Sequence, residues 1–114
     1  MSKSSITLLC AAAVLAFATL TPAQAAIDAE AAKALFKDNE CTKCHDVKLA
    51  KKGPALKKIA AKYKGKPDGQ EKAIKNFTMG GKVKTLDGKE VEHKTLDSKD
   101  PAVQKNLADW ILSQ

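Results

Sequence analysis

Four segments of the chain repeat apolar positions every three or four residues, the spacing that lays one apolar stripe along a helix. The first, AEAAKALFKDNE, follows Asp28 as a cap and carries Ala31, Ala34 and Leu35. The second, PALKKIAAKYKG, sets Leu56, Ile59, Ala60 and Tyr63 on one side and ends before Gly65. The third, PDGQEKAIKNF, offers Ala73, Ile74 and Phe77 as its inner face and stops at Gly80 and Gly81. The fourth opens on Asp100 and Pro101, a cap followed by a first-turn proline, and carries Val103, Leu107, Trp110 and Ile111. Between the third and fourth lies GGKVKTLDGKEVEHKTLDSKD. There Val83, Thr85, Leu86 and Val91 around Asp87-Gly88 fit a small hairpin or an irregular loop equally well. An all-α fold of about four helices is expected, with no internal repeat.

A different pattern precedes these segments. Residues 1–25 carry one positive charge at Lys3, an apolar run from Ile6 to Leu20, then Pro22 and the small-x-small triplet Ala23, Gln24, Ala25. That is the layout of a secretory signal peptide cleaved between Ala25 and Ala26. The apolar run is shorter than the roughly 20 residues of a membrane span, which favours a cleaved leader over an anchor. Cys10 falls inside the run behind the bulky Leu8 and Leu9, unlike a lipoprotein cleavage site, and is lost with the leader. The mature domain is then 26–114, which is 114 less 25, or 89 residues, and losing Lys3 takes the formal charge from +7 to +6. A domain this small buries a low share of its surface. Its aromatic stock is one Trp, one Tyr, Phe36 and Phe77. Something besides side chains is needed to fill the middle.

Charge narrows the classes of partner. All twenty basic residues are lysine and none is arginine. Arginine is the residue that reads bases and phosphates with two parallel hydrogen bonds, so a nucleic-acid partner is not expected. A lysine-rich exported protein is better suited to acidic protein partners met through long-range steering.

The candidate chemistry sits in NECTKCHDVKLAKKGPAL, residues 39–56. Cys41 and Cys44 are two residues apart, with His45 directly after, which is the attachment motif of a c-type haem. Two thiols so spaced can each form a thioether to one vinyl group of the same porphyrin, and the turn then places the next side chain over the iron. His45 is the expected proximal ligand. The competing readings are weaker. A thioredoxin-type disulfide wants a preceding strand and a parallel sheet, and neither pattern is present. A zinc site would have only Cys41, Cys44 and two histidines, in a spacing unlike the usual paired sets. A plain disulfide would close too small a loop to stabilise much.

The chain resembles the class I c-type cytochromes, in particular the short bacterial monohaem proteins, with the small cytochrome c fold of helices packed around one covalently attached haem. LFKDNECTKCH is similar to their first-helix end and haem-binding segment. GPALKKIAAKY resembles the segment in which a proline carbonyl accepts a hydrogen bond from the proximal histidine, which implies Pro54 in that role. LADWILSQ resembles the closing helix, whose aromatic packs on the first helix. The likeness extends over most of the mature chain, 26–114.

The same resemblance implies a sixth iron ligand, most often a methionine. At the family's usual spacing, seventeen residues before Trp110, stands His93 and no methionine. Met79 lies 31 residues before Trp110, at the tail of the third helix, while 80–99 is a segment free to cross over a porphyrin. Ligation by His45 and His93 is therefore expected, a bis-histidine variant, with Met79 or an open position as alternatives. Two imidazoles hold ferric iron better than a thioether does, which implies a low-potential carrier.

No paired carboxylates, Ser/His set or other general base is visible, so no enzyme is expected. The expected function is single-electron transport in the periplasm by a monomer that meets redox protein partners with acidic docking surfaces, guided by Lys43, Lys48, Lys51, Lys52, Lys57 and Lys58. The alternatives are a ligand-binding or sensor haem protein with a displaceable sixth ligand, and a haem subunit of a larger oxidoreductase.

Overall fold

The computed structural model describes residues 26–114. The leader expected at 1–25, including Cys10, lies outside the described residues. The first helix, α1, spans Ala29–Asp38, and the Asp28 carboxylate caps it by accepting from the Ala31 N–H at 3.0 Å. Its buried face is not the one read from the sequence: Ala32 and Phe36 point inward, Leu35 is half-buried, and Ala31 and Ala34 are exposed. The aromatic decides the rotation. Phe36 meets Trp110 edge-on, with ring centroids 5.5 Å apart and planes at 65°, a favourable arrangement for two rings.

A 3-10 turn, Cys41–Lys43, and a loop lead to α2, Leu56–Tyr63. This helix has no side-chain cap. Its first free donors are satisfied by the loop instead, Leu56 N–H to the Asp46 carbonyl at 2.9 Å and Lys57 N–H to the Val47 carbonyl at 3.1 Å. The third helix, α3, runs Gly69–Met79 and ends where expected, on Gly80 with φ 66°. A Cβ on Gly80 would stand 2.8 Å from the Thr95 methyl carbon and 3.2 Å from the His93 carbonyl oxygen, so the residue is glycine for two reasons.

Of the two readings left open for the next segment, the hairpin holds. Strands β1, Lys82–Lys84, and β2, Glu90–Glu92, pair antiparallel with Val83 opposite Val91. Lysines face glutamates across the ladder, Lys82 opposite Glu92 and Lys84 opposite Glu90. In the turn the Thr85 hydroxyl donates to the Asp87 carboxylate and Gly88 takes φ 87°. Leu86 belongs to this turn and not to a strand. Its N–H donates to the Lys52 carbonyl at 2.8 Å, which ties the hairpin tip to the loop after the cysteine motif.

The last helix, α4, spans Pro101–Leu112, capped by the Asp100 carboxylate accepting from the Ala102 N–H at 2.9 Å. It buries Leu107, Ala108, Trp110 and Ile111. Helices α1, α2 and α3 each pack against α4, yet no two of them pack extensively on one another. The core is correspondingly thin. Of its apolar residues only Leu56 and Leu107 are large and fully buried.

Candidate haem site

The 3-10 turn presents the two thiols from consecutive backbone bends. Lys43 N–H donates to the Glu40 carbonyl, and both the Cys44 and His45 N–H groups donate to the Cys41 carbonyl, at 3.2 and 3.0 Å. Cys41 and Cys44 are unbridged and half-buried, so both sulfurs are free for thioether chemistry. Burial pushes the Cys41 thiol above its usual range, and the group rests against the Asn39 carbonyl at 3.8 Å.

His45 follows with its ring fixed. Its Nδ1–H donates to the Pro54 carbonyl at 2.7 Å. A carbonyl can only accept, so the proton belongs on Nδ1 and the Nε2 lone pair is free to bind a metal. Burial holds this imidazole below the ordinary histidine range, helped by the nearby His93 and opposed by the Pro54 bond, which keeps it in the neutral, metal-binding form.

Two neighbours that the sequence reading did not single out make this geometry possible. Gly53 donates its N–H to the Cys44 carbonyl at 2.8 Å, and a Cβ there would lie 2.6 Å from His45 Cε1 and 3.0 Å from Nδ1. The ring occupies the space that any other residue would need. The Asp46 carboxylate accepts from the N–H groups of Lys48 and Leu49, at 2.8 and 2.9 Å, and folds the loop back toward Pro54. A Gly-Pro pair nine residues beyond the histidine was the available signal for the first. A Gly53→Ala variant is expected to lose about 1–3 kcal/mol from the overpacked methyl, measured by thermal or denaturant unfolding of the holoprotein.

On the other side stands His93, just after β2. Its N–H donates to the Gly81 carbonyl at 2.8 Å, so the hairpin sets its position. Its Nδ1 is buried and, among the described residues, has no hydrogen-bond partner. A buried polar atom left alone is uncommon and asks for an explanation such as an ion. The His45 and His93 ring centroids are 6.2 Å apart with planes inclined at 53°. An imidazole nitrogen bonds a transition metal at about 2 Å and stands about 1 Å from its own ring centre, so two imidazoles sharing one ion put their centroids about 6 Å apart. Rotation about the shared axis leaves the plane angle free. The residues present therefore fit an iron held between them. Met79 is the last residue of α3 and is 70% exposed.

Residues 29–114 match the cytochrome c family. The chain belongs to the cytochrome c family. It is similar to the crystal structure of the class 1 cytochrome MtoD from Sideroxydans lithotrophicus ES-1, with 50% identity and a TM-score of 0.73 over 77% of this chain and 97% of that one. Cytochrome c-552 of Nitrosomonas europaea is 38% identical over 75% of this chain and 80% of its own length. Cytochrome c-551 of Allochromatium vinosum is 37% identical over 59% of this chain and 68% of its own. This cytochrome c is an electron-transfer haem protein, with one haem c attached through Cys41 and Cys44. Its four helices form the small cytochrome c fold, with the β1–β2 hairpin between α3 and α4.

The lysines expected to flank the motif are all exposed, but they are not equivalent. Lys43 is held by Glu40 at 2.6 Å, and the Lys51 ammonium donates to the Thr42 carbonyl. Lys48, Lys52, Lys57 and Lys58 have no ion pair among the described residues.

Proposed function

We propose that this cytochrome is a periplasmic single-electron carrier whose iron is held between His45 and His93. The observation that carries the reading is the pair of imidazoles 6.2 Å apart at their centroids, one already oriented by Pro54 and the other presented by a hairpin. Met79 as sixth ligand is supported less well, because its side chain is largely exposed at a helix end.

Haem c supplies an iron that gains or loses one electron. The chain determines how. Cys41 and Cys44 would tether the group, and His45, kept neutral by burial and aligned by Pro54, would offer its free ring nitrogen to the iron. His93 would hold the iron from the other side, which would leave no position vacant for a substrate. A second imidazole in place of a thioether holds the ferric state better and keeps the potential low. With both imidazoles kept through a change of oxidation state, little reorganisation would accompany transfer. Function as a carrier, and not as an enzyme, follows from this closed coordination.

The ferric visible spectrum tests the ligand set. The far-red band that a methionine sulfur gives on ferric haem should be missing, and His93→Ala should abolish the low-spin spectrum. A far-red band in the unmodified protein overturns the reading in favour of Met79. Rapid carbon monoxide binding to the ferrous form would favour a ligand sensor instead.

Export rests on the leader pattern at residues 1–25; no helix among the described residues is long and apolar enough to cross a membrane. The partners are redox proteins with acidic faces, met by Lys48, Lys52, Lys57 and Lys58 on a monomer. Raising ionic strength from about 0.01 to 0.5 M should slow bimolecular electron transfer by about tenfold or more, as screening shortens the reach of the charges. A salt-independent rate removes the steering role.

A further inference from the structure

Asn39 is the buried polar residue in an otherwise apolar core, at 4% exposure. Burying an amide costs free energy unless its hydrogen bonds are replaced, so its partners reveal its purpose. Its Nδ2 donates to the Leu35 carbonyl at 3.0 Å, which closes the end of α1. Its Oδ1 accepts from the Asp97 N–H at 2.9 Å, across 58 residues of sequence. Asn39 stands two residues before Cys41, and Asp97 four residues after His93. One side chain therefore joins the segment that tethers the haem to the segment that carries the distal histidine.

Apart from the Leu86–Lys52 bond at the distant hairpin tip, the other anchors of that distal segment do not perform this task. His93 N–H bonds to Gly81 and Leu96 N–H bonds to the Phe77 carbonyl, both at 2.8 Å. Both partners lie on α3 or directly after it, so these bonds hold the ligand to its own neighbourhood. Only a contact with the tethered side fixes its distance from the attached group. Glu40 adds a second such contact. Its backbone is left-handed, at φ 60°, and its carboxylate reaches Lys43 at 2.6 Å and Lys94 at 3.8 Å, one beside each segment. The Lys94 pair is exposed and therefore weak.

We propose that Asn39 is a positioning residue for the sixth ligand: its amide, helped by Glu40, clasps the 93–97 segment to the haem-attachment segment and keeps the distal position closed. The proposal rests on His93 being that ligand. Losing the clasp lets the segment open more often, and an opened segment admits an external ligand to the iron.

The test is cyanide binding to the ferric holoprotein, followed by stopped-flow at the Soret band. Asn39→Ala should bind cyanide about tenfold faster than the unmodified protein, the effect of one lost buried hydrogen bond on an opening equilibrium. The control is Asn106→Ala, which removes two bonds of similar length but on the surface, Asn106 with the Asp28 N–H and carbonyl, both at 2.9 Å, at the opposite end of α1. It should lower the melting temperature and leave the cyanide rate unchanged. Glu40→Gln, on an exposed side chain that does not endanger folding, should give an increase of about twofold that disappears in high salt. The proposal fails if Asn39→Ala accelerates cyanide no more than Asn106→Ala, or, should Asn39→Ala not fold, if Glu40→Gln has no effect. A His93→Ala variant that keeps its low-spin spectrum would instead defeat the ligand assignment itself.

Discussion

Freed of haem, a Cys41→Ala, Cys44→Ala double variant is expected to lose more than about half of the helical far-ultraviolet signal of the holoprotein, because here cofactor binding is largely folding free energy. The residues give the reason. Among the described residues, five of the thirteen buried apolar ones are alanine, namely Ala32, Ala55, Ala60, Ala73 and Ala108, and each contributes little area. Helices α1, α2 and α3 lean on α4 without packing extensively on one another. What remains is a small domain with a low share of buried surface and an incomplete centre. A haem-free chain with native helix content and a cooperative thermal transition would show that the side chains suffice.

The second large effect concerns potential. His93→Met is expected to raise the midpoint by on the order of 100 mV and to introduce the far-red band in the ferric spectrum. A thioether sulfur stabilises ferrous iron relative to imidazole, and the hairpin presents residue 93 at the position where His93 faces His45. Met79→Leu should leave both spectrum and potential unchanged, since that side chain projects into solvent from the end of α3. An unaltered potential in His93→Met, or a collapse of the spectrum in Met79→Leu, would reverse the assignment.

The helices were legible because their signals were local. Asp28 and Asp100 perform the capping expected of them, and Leu56, Ile59, Ala60 and Tyr63 turn one face inward as their spacing requires, Ile59 only partly. The rotation of α1 was not legible. Alanines at Ala31 and Ala34 carry too little apolar weight to fix a face, and the choice fell to Phe36 meeting a ring 74 positions later at Trp110. The hairpin was ambiguous for a similar reason, since both its strands are exposed and show no inside and outside. Of the site, the cysteine motif was plain, and the Pro54 carbonyl lies 2.7 Å from His45 Nδ1. Gly53, Asp46 and Asn39 were missed. Their importance lies in a close approach, a backbone turn and a bond across 58 residues, none of which leaves a periodic trace.

That three helices share a single support in α4, Pro101–Leu112, bears on the order of assembly. A ribosome delivers this keystone after the other three helices, so the nascent polypeptide cannot lock before Pro101–Leu112 has emerged. Until then the chain stays open, and both cysteines remain accessible for attachment to a porphyrin. Truncating the C-terminus should accordingly leave covalent attachment intact while the product remains protease-sensitive.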